Sequence, residues 1–183
     1  MKNNWSVAYR GKLFEILQNE KGWERAVRAP GVRLILDDRE AGKILLTREF
    51  RPELEDYDYR LPGGKVFDTL EEYGDFSKLG GDVEQKATEK VTAEAKEETG
   101  YDISNPKLIA KSVLGATVEW DLFVFAVTDF SKLASGQELE EGEEIETDLW
   151  FSYSEVKKMI LDGSMNEDRA ALSLLRYLEQ GSN

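Results

Sequence analysis

Three glutamates near the end of a helical pattern are the residues best placed to do chemistry. Glu94, Glu97 and Glu98 occupy positions i, i+3 and i+4, so on an α-helix their carboxylates lean toward one patch. Like charges at this spacing destabilise a helix by roughly 0.2–0.5 kcal/mol per pair. A hard divalent cation would turn the repulsion into coordination, because it takes carboxylate oxygens as ligands. The alternative is an acidic face exposed to solvent.

The helix that carries these glutamates is predicted over residues 83–99. Its apolar residues recur every fourth position on one face, at Val83, Ala87, Val91 and Ala95. Gly100 suits the end of the helix, because glycine adopts the left-handed cap conformation without a Cβ penalty. The glutamates therefore fall in the last turn, where the helix dipole disfavours negative charge.

The composition limits the chemistry that the chain can perform. Its 183 residues, 40% of them hydrophobic, predict a folded globular domain, or one domain with a small appendage. The absence of cysteine excludes disulfides, thiolate metal sites and cysteine nucleophiles. The absence of histidine removes the commonest general base, so carboxylates, lysines and tyrosines remain for acid–base work.

The charge distribution indicates the kind of partner. The net charge of −13 disfavours nucleic acid and anionic membranes as partners. Residues 1–65 carry +2 and residues 66–183 carry −15, so the N-terminal part and a metal on the acidic part would together grip an anionic substrate. The first residues lack the apolar run of a signal peptide, and no stretch approaches 18 apolar residues. We therefore expect a cytoplasmic protein.

The pattern of elements predicts an α+β fold or an α/β/α sandwich. Residues 1–30 form a small antiparallel β unit, and residues 31–183 a catalytic domain with an inserted loop at about 66–82. An acidic loop is expected at 52–58. Strands are predicted at 32–36, 43–50, 106–114, 122–127 and 147–151, and closing helices at 154–161, capped by Ser152, and 167–179, capped by Asn166.

Two segments together resemble the Nudix box. The sequence LPGG (61–64) is followed by AEAKEETGY (93–101), and the family pattern is Gly, five residues, Glu, seven residues, then Arg-Glu-U-x-Glu-Glu-x-Gly-U, with U bulky and apolar. The second half matches at Glu94, Glu97, Glu98, Gly100 and Tyr101.

The box departs from the pattern in three ways. About 15 residues are inserted between its halves, essentially the segment 66–82, Gln85 stands at the helix-start glutamate position, and Ala93 replaces the arginine. The glutamate and arginine pair with each other in the family, so losing both leaves no unpaired charge. The resemblance is therefore to a diverged box that keeps its metal ligands.

The resemblance implies a Nudix-type α/β/α sandwich with a mixed sheet, in addition to the small N-terminal antiparallel β unit. It also implies divalent-metal-dependent attack on a diphosphate linkage, with Mg²⁺ (or Mn²⁺) as cofactor. The ligands carried over from the family are Glu94, Glu97, Glu98 and the main-chain carbonyl of Gly63.

Further motifs resemble the ADP-ribose and nucleotide-sugar pyrophosphatases within this family. They are WERAVR (23–28), REFRP (48–52) and EGEEIE (141–146) before Trp150. This resemblance implies a homodimer built through the N-terminal strands. It assigns substrate binding to Trp23, which would stack on the base, with Glu24 beside it, and to Arg28 and Arg51, which would contact phosphates. The late-loop acid that positions or activates water is matched by Glu143, with Glu144 as the alternative.

The expected reaction is hydrolysis of a nucleoside diphosphate linked to another moiety, most simply ADP-ribose or a nucleotide sugar, to a nucleoside monophosphate and a sugar phosphate. Relatives selective for ADP-ribose carry Glu-x-Pro-Ala-Gly where this chain has RLPGG (60–64), which leaves the base and sugar open. The alternatives are a Nudix hydrolase of a nucleoside triphosphate or dinucleotide, and a nucleotide-binding module with weak or no catalysis.

Overall fold

The computed structural model describes residues 4–52, 54–139 and 141–181 as a mixed α+β fold. Within these ranges the strands are β1 (Trp5–Arg10), β2 (Glu15–Asn19), β3 (Glu24–Val27), β4 (Gly31–Asp38), β5 (Lys43–Arg51), β6 (Asp56–Arg60), β7 (Tyr101–Ser104), β8 (Lys107–Ser112), β9 (Val118–Glu119), β10 (Leu122–Val127), β11 (Asp129–Lys132) and β12 (Ile145–Ser152). The helices are α1 (Leu70–Lys78), α2 (Val83–Glu94), a π-helical turn (Ala95–Thr99), α3 (Tyr153–Asp162) and α4 (Asp168–Gln180). None of the helices in the described ranges is long and apolar enough to span a bilayer.

The central sheet is mixed, with strand order β12-β5-β4-β10-β8 and β6 added beside β5. Strands β4 and β10 run parallel and pair along their whole length, and both are buried almost throughout because helices cover both faces. Alternate residues of each strand enter different cores, as strand geometry requires. Leu34 packs with Ala87 and Val91 of α2 on one face, whereas Ile35 packs with Val156 of α3 and Leu174 of α4 on the other. The predicted α/β/α sandwich is confirmed.

The N-terminal unit is a separate sheet with strand order β1-β2-β3-β9. Its first three strands are antiparallel, whereas β9 joins parallel to β3, pairing Val118 with Ala26. This sheet therefore includes a segment far beyond residue 30. That segment lies just before the central strand β10 and ties the N-terminal sheet to the central sheet.

The inserted segment 66–82 contains the helix α1, so the prediction of a loop there was wrong. Thr69 caps this helix by accepting a hydrogen bond from the Glu72 N–H. Phe67 is only 2% exposed, and its ring lies 5.3 Å from that of Tyr73 and 5.2 Å from that of Phe76. The insertion is therefore part of the core beside α2.

Other differences from the predicted elements are local. Strand β6 lies partly in the predicted acidic loop at 52–58, where Asp58 is buried against the Arg60 guanidinium. The α-helical part of the predicted 83–99 helix ends at Glu94 and continues as the π-helical turn. The N-cap of α4 is Glu167 rather than the predicted Asn166, and its side chain makes no capping hydrogen bond.

The predicted cap of α3 is confirmed and supports a stability prediction. Ser152 Oγ accepts a hydrogen bond from the Glu155 N–H, and the Glu155 carboxylate accepts one from the Ser152 N–H, which completes a capping box. We expect Ser152→Ala to lower the free energy of unfolding by about 1 kcal/mol in urea denaturation. Ser135→Ala, in an exposed turn, is the control and should change it by less than about 0.5 kcal/mol. Equal effects of the two substitutions would contradict the capping role.

Candidate active site

Most of the predicted site residues line one cavity of about 250 Å³, which lies at one end of the strands of the central sheet. Its walls come from the loop after β3, the strands β4 and β5, the glycine loop after β6, the end of α2 and the loop before β12. Seven of the nine predicted site residues line it: Arg28, Arg51, Gly63, Glu94, Glu97, Glu98 and Glu143. Trp23 and Glu24 do not line it within the single chain.

The end of α2 presents the three glutamates to this cavity. The apolar face of the helix, including Ala87, Val91 and Ala95, is fully buried and fixes the helix against the sheet. Glu94 and Glu98 are 8% and 9% exposed, whereas Glu97 is more accessible. The turn that carries Glu97 and Glu98 is π-helical, a geometry that is common at functional sites, and it ends the helix, so its last main-chain carbonyls are available to other partners.

The freed carbonyls of this turn hold the segment that leads to the late acidic loop. The Glu138 N–H donates to the Glu97 carbonyl at 3.0 Å, and Gln137 Nε2 donates to the Glu98 carbonyl at 2.5 Å. Glu143 lines the cavity, while Glu144 uses its main-chain carbonyl to accept a hydrogen bond from the Phe50 N–H. Of the two candidate late-loop acids, Glu143 is the one that faces the site.

The glycine loop after β6 lies directly against two of the carboxylates. The Gly63 N–H donates to Glu98 Oε2 at 2.6 Å. Gly63 has φ +139°, and a Cβ there would collide with the Val32 carbonyl, whereas a Cβ on Gly64 would collide with the Glu94 carboxylate. Position 63 therefore requires glycine, because both the φ of Gly63 and the neighbouring backbone exclude a Cβ, whereas a side chain at Gly64 would have to displace the Glu94 carboxylate.

Burial and mutual repulsion disfavour the charged forms of these acids. Burial, followed by the charge of Glu94, raises the pKa of Glu98 to about 8, against the opposing effects of the Gly63 N–H and Arg33. Burial also raises the pKa of Glu94, with Lys90 acting in the opposite direction. A cation beside these two desolvated carboxylates would stabilise their charged forms.

The cation that occupies the acidic end of the cavity in this structure is a lysine. Lys90 Nζ lies 3.1 Å from Glu94 Oε1 and 3.5 Å from Glu97 Oε2. The carbonyl of Gly63 accepts a hydrogen bond from Arg33 Nη1 at 2.6 Å. Across the described ranges no three acidic side chains are arranged to hold a metal ion in this conformation. The donors are nonetheless all carboxylate and carbonyl oxygens, which suits Mg²⁺ or Mn²⁺.

The cavity is also lined by basic side chains. Arg28, Arg51, Arg33, Arg60 and Lys65 all line it. Arg51 pairs with Glu49 at 2.7 Å, and Arg33 is buried with its Nε 2.8 Å from Glu167 Oε2. Sequence reasoning missed Arg33, although a charged residue inside the apolar run of β4 is a signal that could have found it.

The aromatic residue that faces the cavity is Trp120, which sequence reasoning also missed. Its ring lies 4.2 Å from the guanidinium carbon of Arg28 and 4.5 Å from that of Arg169. The predicted base-stacking residue, Trp23, is instead 63% exposed on the N-terminal sheet, with Lys21 Nζ 5.8 Å from its ring. The two tryptophans therefore occupy different environments.

Comparison with known proteins decides the fold but not the activity. Neither a protein-family model nor a curated protein sequence matches the chain. Among solved structures, one described as an ADP compounds hydrolase superposes with a TM-score of 0.67 at 19% identity, covering 98% of this chain and 94% of the other. The chain has the Nudix-type fold. The end of α2 and the glycine loop are the two segments whose sequences resemble the halves of the box.

Proposed function

We propose that this protein hydrolyses the diphosphate bond of a nucleoside diphosphate linked to another moiety, with ADP-ribose or a nucleotide sugar as substrate and Mg²⁺ (or Mn²⁺) as cofactor. The products are a nucleoside monophosphate and a sugar phosphate. The observation that carries this proposal is the cavity itself, which is lined both by the three glutamates and Gly63 and by several guanidinium groups. Carboxylates that could hold a metal, together with arginines that could bind phosphate oxygens, suit a diphosphate substrate.

Each group of residues in the cavity has its own role in the proposed reaction. Glu94, Glu97, Glu98 and the Gly63 carbonyl would hold the metal, which when bound would neutralise charge on the diphosphate and lower the pKa of water. Arg28 and Arg51 donate hydrogen bonds to phosphate oxygens. Because the chain has no histidine, the exposed Glu143 carboxylate accepts the proton of the attacking water or orients that water.

The proposed assembly is a homodimer formed through the N-terminal sheet. Three large side chains on this sheet are strongly exposed in the single chain: Val7 is 48% exposed, Tyr9 63% and Trp23 63%. Such a set of exposed apolar groups favours an interface. Trp23 and Glu24 do not line the cavity of their own chain. In the proposed dimer they would reach the cavity of the partner chain and contact the base of the substrate there.

The test is hydrolysis of a substrate panel with separation of the products. ADP-ribose, several nucleotide sugars, nucleoside triphosphates and dinucleotides are each incubated with the full chain in Mg²⁺ and in EDTA. We expect a nucleoside monophosphate and a sugar phosphate from the first two groups in Mg²⁺, and no turnover in EDTA. Turnover restricted to triphosphates or dinucleotides would contradict the substrate class. Binding of nucleotides without turnover would instead indicate a binding module.

A further inference from the structure

Lys90 lies one helical turn before Glu94 on α2, and the box pattern leaves its position unspecified. Its side chain is 27% exposed and lines the cavity. The ammonium contacts Glu94 and Glu97 together, although these residues belong to two different helical geometries. One lysine therefore links two of the three carboxylates proposed to bind metal.

The Lys90 ammonium and a divalent cation would compete for the same carboxylate oxygens. Each needs the Glu94 and Glu97 oxygens, and the two positive charges repel each other strongly at a separation of a few ångströms in a half-buried site. They cannot occupy these oxygens at the same time. The lysine must leave its carboxylates before a metal ion can bind both.

We propose that Lys90 is a built-in counter-ion of the acidic end of the cavity. It neutralises Glu94 and Glu97 while no metal is bound, so the chain can fold with these acids half-buried and close together. Binding of a divalent cation displaces its ammonium, and that displacement sets the metal concentration which the protein requires. This inference rests on the proposed function, because it takes the same glutamates as metal ligands.

The chain provides a matched control for removing this charge. Lys86 lies one turn earlier on the same helix, is also half-buried, and forms no ion pair with the described residues. Lys86→Met and Lys90→Met therefore remove the same charge and add the same side chain to α2. Lys90→Arg keeps the positive charge at the site and remains informative if Lys90→Met folds poorly.

The experiment measures Mn²⁺ binding by the paramagnetic resonance signal of the free ion, and thermal unfolding in EDTA and in Mn²⁺. We expect Lys90→Met to bind Mn²⁺ roughly tenfold more tightly than the wild type, because a half-buried like charge opposes the ion there. Lys86→Met and Lys90→Arg should stay within about twofold of the wild type, since neither removes the competing charge. In EDTA, Lys90→Met should unfold at a lower temperature than Lys86→Met, and Mn²⁺ should raise its unfolding temperature the most.

The experiment distinguishes a failure of the counter-ion role from a failure of the proposed function. If the wild type and Lys90→Met bind Mn²⁺ with equal affinity, or the variant binds more weakly, the counter-ion role is wrong while the proposed metal-dependent function stands. If neither protein binds Mn²⁺ at the glutamates, so that Glu97→Gln changes nothing in the titration, the proposed function is wrong and the inference with it.

Discussion

Replacing Glu98 by glutamine is expected to lower kcat/KM for the diphosphate substrate by at least about a hundredfold, or about 3 kcal/mol of transition-state stabilisation. Glu98 is one of the two buried glutamates that line the cavity, since it is 9% exposed, and its carboxylate accepts a hydrogen bond from the Gly63 N–H. An amide oxygen keeps the shape of the side chain but removes the charge that binds the cation. Steady-state kinetics on the substrate found in the panel give the measurement.

The same substitution should leave the metal-free fold intact. The ionised carboxylate is disfavoured by burial and by Glu94, whereas a neutral amide avoids that repulsion and can still accept the Gly63 N–H. The unfolding temperature of Glu98→Gln in EDTA should therefore be no lower than that of the wild type. Glu89→Gln, on an exposed part of α2, is the control and should keep full activity. A fully active Glu98→Gln variant would remove Glu98 from the mechanism.

Phe67→Ala is expected to lower the free energy of unfolding by about 3–5 kcal/mol, as for other fully buried aromatic residues. The side chain is 2% exposed and packs between the insertion and α2, in the core that contains Ala87 and Val91. Its removal leaves a cavity beside Tyr73 and Phe76, which cannot collapse without moving α1. Urea denaturation followed by circular dichroism measures the loss.

Leu79→Ala is the matched control within the same insertion. Leu79 is 89% exposed, so the substitution should change the free energy of unfolding by less than about 0.5 kcal/mol. If Phe67→Ala were equally mild, the insertion would be a detachable surface loop, as the sequence pattern first indicated. A large difference between the two variants would show that the insertion belongs to the domain.

The central strand β10 and the helix α2 could be predicted from the sequence because their buried positions are occupied by apolar residues. The run 122–127 is apolar throughout and forms β10 with those bounds, since a strand covered on both faces has no polar side. The fourfold spacing of Val83, Ala87, Val91 and Ala95 predicted the face by which α2 packs. The spacing of the glutamates likewise predicted that they would line one cavity.

The features that the sequence predictions missed are helix α1 and the positions of Lys90 and Trp120. Helix α1 contains the weak helix former Gly74, and the apolar residues Leu70, Tyr73 and Phe76 of this helix form a short stripe that periodicity over a longer window overlooks. The capping residue Thr69 followed by Glu72 was the available signal for that helix. Trp120 acquires its position through tertiary contacts with Arg28 and Arg169, which nothing in the local sequence specifies. Lys90 was also missed, although its i,i+4 spacing to Glu94 was a local signal for an ion pair.

The hydrogen bonds between the π-helical turn and residues 137–138 make two distant parts of the chain one mechanical unit. The carbonyls of Glu97 and Glu98 hold the base of the loop whose tip carries Glu143. A displacement of that loop therefore pulls on the turn that orients two carboxylates, and a change in the turn shifts the loop. The positions of residues 137–138 and the orientation of the Glu97 and Glu98 carboxylates are in this way mechanically coupled.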